Sequence, residues 1–247
     1  MSDLNIQMEG GTSVRLLTEG KYCDKNIVVT ASGGGGDTDI EDGLVTRSLS
    51  GAYVNDRVTS IAQFAFRGCT KITSFSFPKA KSVGTNALYG CSNLVSVNLP
   101  LVTSIGDNAL NACGAVPSIV LPSLTSGGSY MFRYCYKLLT IDLPVIKNIV
   151  SSMFYDCRRL TTIILRSETM CSLAATSAFG NCYHFHGNAH GTYNPNGDKD
   201  GYIYVPAALV EEYKAATNWS TFATQFRALE DYTVDGTITG ELDESKI

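Results

Sequence analysis

An excess of positive charge is the first thing this chain lacks. Lysine and arginine total 19 against 23 aspartates and glutamates, a net charge of −4 with a pI near 5.4. A nucleic-acid partner would want a basic face, so that class is set aside. Long apolar runs are missing too. None reaches the ~18 residues of a membrane span, and no span is expected. Residues 1–10 carry neither a basic n-region nor an apolar h-region, so a secretory signal is not expected there. Histidine is scarce: all three lie between 184 and 190. Neither paired carboxylates nor the spacing of a nucleophile–base–acid triad is found, which counts against an enzyme. The glycine run at 32–37 is not followed by the Lys and Ser/Thr of a phosphate-binding loop, and reads as a flexible linker.

Cysteine, by contrast, is plentiful and regular. Cys69, Cys91, Cys113, Cys135 and Cys157 stand 22 residues apart, and Pro78, Pro100, Pro122 and Pro144 keep the same step, with Arg166 where a fifth proline would fall. Apolar columns run beside them. Phe66, Leu88, Leu110, Phe132 and Phe154 precede each cysteine by three residues. Ile72, Leu94, Val116, Leu138 and Leu160 follow it by three. An earlier column of Ile61, Val83, Ile105 and Ile149 is interrupted by Gly127. Equal intervals kept by unlike residue types mark an internal repeat, and a period of this size predicts a solenoid.

The spacing within a coil predicts its parts. Val97 and Leu99 are apolar with one polar residue between, the period of a strand. Ala87, Leu88 and Cys91 fall three and four apart, as on one helical turn. Each coil is therefore expected to hold one short strand and one short helix or turn. Such a coil buries its apolar face only by stacking on copies of itself, which makes a parallel sheet on one side. The expected fold is a β/α solenoid of about six coils, with parallel strands near 75, 97, 119, 141 and 163. Neighbouring cysteines would sit about 5 Å apart at Cα, close enough for a disulfide, but with side chains pointing the same way into the core. They are read as reduced, buried small hydrophobes.

The motif I-G-x-x-A-[FL]-x-x-C-x-x-L-x-x-[IV]-x-L-P resembles the BspA-like leucine-rich repeat family of bacteria and their phages. The departures from it are local: Gly127, Met131 and Met153 in place of alanine, and three extra residues before Phe179 and Cys182. The phrase V-R-L-L-T-E-G-K-Y-C-D-K-N-I-V-V-T at 14–30 reads as two short strands around a polar turn at 20–26. It resembles a small N-terminal module of phage and prophage tail-associated proteins of gut Firmicutes.

The expected organisation follows the chain. Residues 1–31 are a small β attachment module, 32–39 the linker, 40–57 an N-terminal cap, and 58–183 the solenoid. Residues 184–230 hold a loop, a strand at 202–205 and a helical cap, and 231–247 a hairpin and acidic tail. In the cap, Pro206 opens a helix, with Leu209, Tyr213 and Ala216 on one face and Trp219, Phe222, Phe226 and Leu229 continuing it.

Two surfaces are candidates for function. Residues two before each cysteine, Arg67, Tyr89, Asn111, Arg133 and Tyr155, mix aromatic and basic groups, as recognition surfaces do. On the strands, Ser74, Ser96, Ser118, Thr140 and Thr162, with Ser76, Asn98, Val120, Asp142 and Ile164, would face outward as a hydroxyl-rich strip. The plain alternative for either row is a solvated face. A third cluster, Cys182, His184, His186 and His190, would suit zinc if the histidines shared one strand face, but Cys182 belongs to the core column, so no metal or other cofactor is expected. Asn194 to Asp200 has the start of a calcium loop but Val205 where the closing glutamate belongs, and reads as a turn.

The resemblances imply a non-enzymatic binding protein associated with a phage or prophage tail. It would present the repeat surface to a bacterial cell-surface glycan or protein and attach to a virion tail component through residues 1–31. Its place would be the virion, released by lysis. The alternatives are a BspA-like adhesin on the bacterial cell surface and a metal-dependent enzyme using the 182–190 loop.

Overall fold

The computed structural model describes residues 4–8, 12–16, 50–56, 58–187, 191, 194–234 and 237–238. The repeats form a right-through stack of parallel coils, and each coil carries two strands rather than the one expected. The longer row comprises Gly51–Val54, Ile72–Ser76, Ser96–Asn98, Ser118–Val120, Thr140–Asp142, Thr162–Ile164, Tyr202–Val205 and Phe226–Ala228. The row forms two parallel sheets, divided between Ser96–Asn98 and Ser118–Val120; pairings within the repeats hold the 22-residue step, as in Phe75 opposite Val97 and Ile141 opposite Ile163, while the last two strands pair at longer intervals. The second row is made of two-residue strands: Ser60–Ile61, Ser82–Val83, Ser104–Ile105, Ser126–Gly127, Asn148–Ile149 and Ser172–Leu173. Each of these except Ser126–Gly127 places one apolar residue in the core, and a single residue shows no period by which a strand is recognised.

Between the two rows lies a third ladder. Residues 85–90 and their equivalents are turns, except in the last coil, where Thr176–Phe179 is a short 3-10 helix. Their N–H groups alternate in direction. Ala65, Arg67 and Cys69 donate back three residues within the coil, while Phe64, Phe66 and Gly68 donate to the carbonyls of Thr85, Ala87 and Tyr89 in the next. The alternation needs left-handed residues at two fixed places per coil. Phe64, Asn86, Asn108, Tyr130 and Ser152 occupy one, and Gly68, Gly90, Ala112, Tyr134, Asp156 and Asn181 the other. These bonds pair much of the coil-facing backbone, as a buried backbone requires. The approach is close: a Cβ on Gly84 would stand 2.4 Å from the Gln63 nitrogen of the preceding coil.

The core runs down the middle. The column residues Phe66, Leu88, Leu110, Phe132 and Phe154 are fully buried, and the rings of Phe132, Phe154 and Phe179 stack at 5.5 Å intervals. Seven cysteines have free, buried thiols; Cys23 lies outside the described residues. The thiols form a spine: Cys91, Cys113, Cys135 and Cys157 donate to the carbonyls of Phe66, Leu88, Leu110 and Phe132 at 3.0–3.3 Å. Cys182 does the same to Phe154 across the three extra residues.

The ends differ in part from expectation. Leu4–Met8 pairs antiparallel with Thr12–Leu16, so the described N-terminal hairpin begins earlier than the 14–30 reading; 17–49, with the linker, lie outside the described residues. Gly51–Val54 joins the repeat sheet in parallel. At the other end a short helix, Val210–Ala215, buries Tyr213, followed by a 3-10 turn at Trp219–Gln225. Phe226 is not on a helical face; it lies in the strand that closes the sheet against Tyr202–Val205. Trp219 Nε1–H donates to Cys171 O at 2.7 Å and the Cys171 N–H donates to Tyr213 Oη, sealing the last coil. Thr233–Val234 and Thr237–Ile238 pair antiparallel around Asp235-Gly236, as the hairpin reading expects.

Candidate functional site

The row two residues before each cysteine is held in register by the turn ladder. Gly68, Gly90, Ala112 and Tyr134 donate their N–H groups to the carbonyls of Tyr89, Asn111, Arg133 and Tyr155. Their side chains then stand one above another, but not all at the surface. Asn111 is 2% exposed, folded back so that its Nδ2 donates to Asn108 Oδ1 at 2.8 Å. It leaves the row, which becomes two separate groups. In the first, the Arg67 guanidinium lies 5.1 Å from the Tyr89 ring centre and 5.6 Å from that of Phe64.

The second group is larger. Arg133 Cζ lies 4.3, 5.2 and 5.4 Å from the ring centres of Tyr134, Tyr130 and Tyr155. Its Nη2 donates to Tyr134 Oη at 2.5 Å, its Nε is buried without a partner, and no carboxylate pairs with it among the described residues. Three rings around one planar cation give cation–π contacts of about 0.5–2 kcal/mol each. Tyr134 continues to Tyr136, 5.7 Å between centres, and Tyr136 to Arg158, 4.9 Å away. Arg158 Nε donates to Asp156 at 2.6 Å, and the carboxylate holds the guanidinium protonated more firmly than usual. The Tyr155 ring lies where a side chain on Gly180 would stand, and Asn181 Nδ2 donates to its hydroxyl. Tyr130 is the outermost member, 37% exposed.

Sequence reasoning named Arg133 and Tyr155 here but missed Tyr130, Tyr134, Tyr136 and Arg158. A signal existed for one of them. Tyr134 occupies the column of Gly68 and Gly90, where a bulky side chain is unexpected.

The hydroxyl strip is open only in part. Ser96 and Ser118 are exposed, but Asp142 and Ile164 are buried, which corrects the outward reading of those two. Arg166 is the cause at Asp142: its Nε and Nη2 both reach the carboxylate at 2.9 Å. Burial pushes the Asp142 carboxyl above its usual range, against the pull of Arg166.

The Cys182 cluster does not assemble as a strand. Tyr183–His186 is a helical turn, so His184 and His186 face different ways. Cys182 donates its thiol to the backbone, and burial pushes it well up. His184 Nδ1 pairs with Asp200 at 2.6 Å, and burial lowers the His186 imidazole. His190 lies outside the described residues. Among the described residues no three such side chains are placed to hold a metal. Asn194 turns inward, its Nδ2 donating to Tyr183 O and Asp198 O.

The description "BspA type Leucine rich repeat region" matches residues 47–186 in six copies, over half the chain. No curated protein matches. Among solved structures, a T. pallidum leucine rich repeat protein is 27% identical, with a TM-score of 0.41 over 51% of this chain and 71% of its own. A leucine rich cell surface protein of Faecalibacterium prausnitzii is 20% identical, with a TM-score of 0.43 over 74% of this chain and 51% of its own. The pneumococcal vaccine antigen PcpA is 14% identical, with a TM-score of 0.50 over 72% of this chain and 39% of its own. The chain thus spans about half of the second protein and less of the third; its likeness to PcpA is one of fold. By the six matched copies and the stacked parallel coils, the chain belongs to the BspA-type leucine-rich repeat family.

Proposed function

We propose that this is a non-enzymatic binding protein that presents the turn face of its fourth and fifth coils, those of Cys135 and Cys157, to a glycan or protein on a bacterial cell. The observation that carries the reading is the Arg133 cradle: a planar cation without a carboxylate partner among the described residues, set among tyrosine rings at a solenoid surface. A rigid stack holds such groups at constant intervals, which suits multipoint contact. A ring stacks on a sugar or an apolar side chain while the guanidinium directs hydrogen bonds.

The resemblance of residues 14–30 to tail-associated modules supports a placement on a virion tail, with residues 1–31 attaching and the glycine run separating attachment from presentation. As a family adhesin the same face would serve from the bacterial surface. Co-fractionation of the native protein with particles or with cell envelopes separates the two placements. For the binding itself, the labelled full chain is incubated with bacterial cells beside a Tyr130→Ala/Arg133→Ala variant of verified fold. The parent is expected to bind and the variant to lose most of that binding. A parent that binds no bacterial surface, or a variant that binds as well, removes the reading.

A further inference from the structure

We infer that the ligand of this face is an anionic glycan, held by a basic patch that adjoins the tyrosine cradle. The inference rests on the reading that the turn face binds a ligand, and it assigns that ligand its charge. Although the whole chain is at −4, the stretch from 130 to 159 carries Arg133, Lys137, Lys147, Arg158 and Arg159 against Asp142 and Asp156. On the turn face the only carboxylate in that stretch is Asp156, which is engaged by Arg158. Three other carboxylates have partners of their own. Asp107 accepts the Ser129 N–H at 2.8 Å, Asp142 is taken by Arg166 and Asp200 by His184.

The sharpest observation is that Lys137 and Arg159 take equivalent positions on neighbouring coils. Both stand two residues after their cysteine, both are exposed, and neither has an ion pair among the described residues. The coils are joined at this height by the Thr161 N–H donating to Leu139 O at 3.0 Å. Equivalent residues on hydrogen-bonded neighbours are about 4.8 Å apart, a distance at which like charges opposite one another are destabilising. The same position holds Lys71 in the first coil but Asn93 and Ala115 in the next two, so the fold itself does not demand a cation there, and only Lys137 and Arg159 are adjacent in the stack. A bound anion would relieve the repulsion, and Arg133, whose Nη2 is taken by Tyr134, adds a further positive charge without a carboxylate partner among the described residues.

The tyrosines select a glycan among anions. Tyr130, Tyr136 and Tyr155 offer flat rings and hydroxyls between the cations, as stacking under sugar rings requires. A nucleic acid is the other polyanion that stacks on aromatic rings, but its dense phosphate charge would meet a protein whose overall charge is negative.

The test measures binding of the full chain to polygalacturonate, phosphomannan, uncharged dextran, polyglutamate and oligothymidylate by calorimetry. Two variants accompany it: Lys137→Glu/Arg159→Glu in the patch, and Lys79→Glu/Lys81→Glu, also exposed, on the first coil. Polygalacturonate or phosphomannan is expected to bind, the first showing a carboxylate source and the second a phosphate source. The patch variant should lose about tenfold or more, and raised salt should weaken the parent in the same direction. The first-coil variant should stay within about twofold, since its charges lie beyond a screening length. Equal binding of dextran, tighter binding of polyglutamate or oligothymidylate, equal loss in both variants, or binding of neither acidic glycan overturns the inference. If the patch variant binds bacterial cells as the parent does, the anionic ligand is overturned while the broader binding reading stands. If the parent binds no cells, both fall.

Discussion

At the scale of single residues, departures from the repeat turn out to be linked. Gly127 breaks an apolar column and Met131 and Met153 replace alanines; in the sequence these are separate irregularities. In the fold they meet. A Cβ on Gly127 would stand 2.9 Å from Met153 Cε and 3.0 Å from Met131 Cε, so the two long side chains occupy the space an isoleucine would fill. Gly127→Ile should overpack and cost about 1–3 kcal/mol, and Met131→Ala/Met153→Ala in the same chain should recover most of it. Denaturant titration of the three proteins checks this; a triple variant no better than the single would show that the columns are independent. Arg166 is a second linked departure. The missing fifth proline makes room for a side chain that covers Asp142 one coil earlier.

At the scale of the element, the turn ladder explains a misreading. Apolar residues three and four apart suit a helical turn, but turns with bonds back three residues bury the same positions. The spacing records which residues are inside and is silent on backbone handedness. The left-handed column was visible only where glycine fills it, at Gly68 and Gly90. From Ala112 onward the stack imposes that conformation on residues with a Cβ, at a cost of about 1–2 kcal/mol each for those other than Asn and Asp. Ala112→Gly should therefore raise stability by about 1 kcal/mol, although glycine in an element's interior is ordinarily the weaker residue. Chemical denaturation reads the sign directly, and a loss would mean that the ladder does not strain Ala112.

At the scale of the whole molecule, the cysteine row is the feature most exposed to test. Burial pushes the Cys113, Cys157 and Cys182 thiols well up and Cys171 to about 12, so thiolate is scarce at neutral pH. A thiol reagent should find at most Cys23 in the native protein and all eight cysteines after unfolding without reductant; a count of two or three in the unfolded chain would mean disulfides and a different core. The repeat, its period, the parallel stacking and the inward cysteines were determined by the sequence alone, because a 22-residue step in unlike columns admits no fold but a stack. Part of the candidate row, Arg133 beside Tyr155, was legible for the same reason: positions one period apart must be neighbours. Only the tertiary structure decided which of those neighbours reach the surface. Asn111 and Asp142 turn inward toward partners that the repeat does not predict: Asn108, three residues earlier, takes the Asn111 amide N–H, and Arg166, where a proline would fall, takes the Asp142 carboxylate. Tyr130 and Tyr134 gather around Arg133 because left-handed backbone aims their side chains, and backbone handedness is set by hydrogen bonds between coils that no single coil can form.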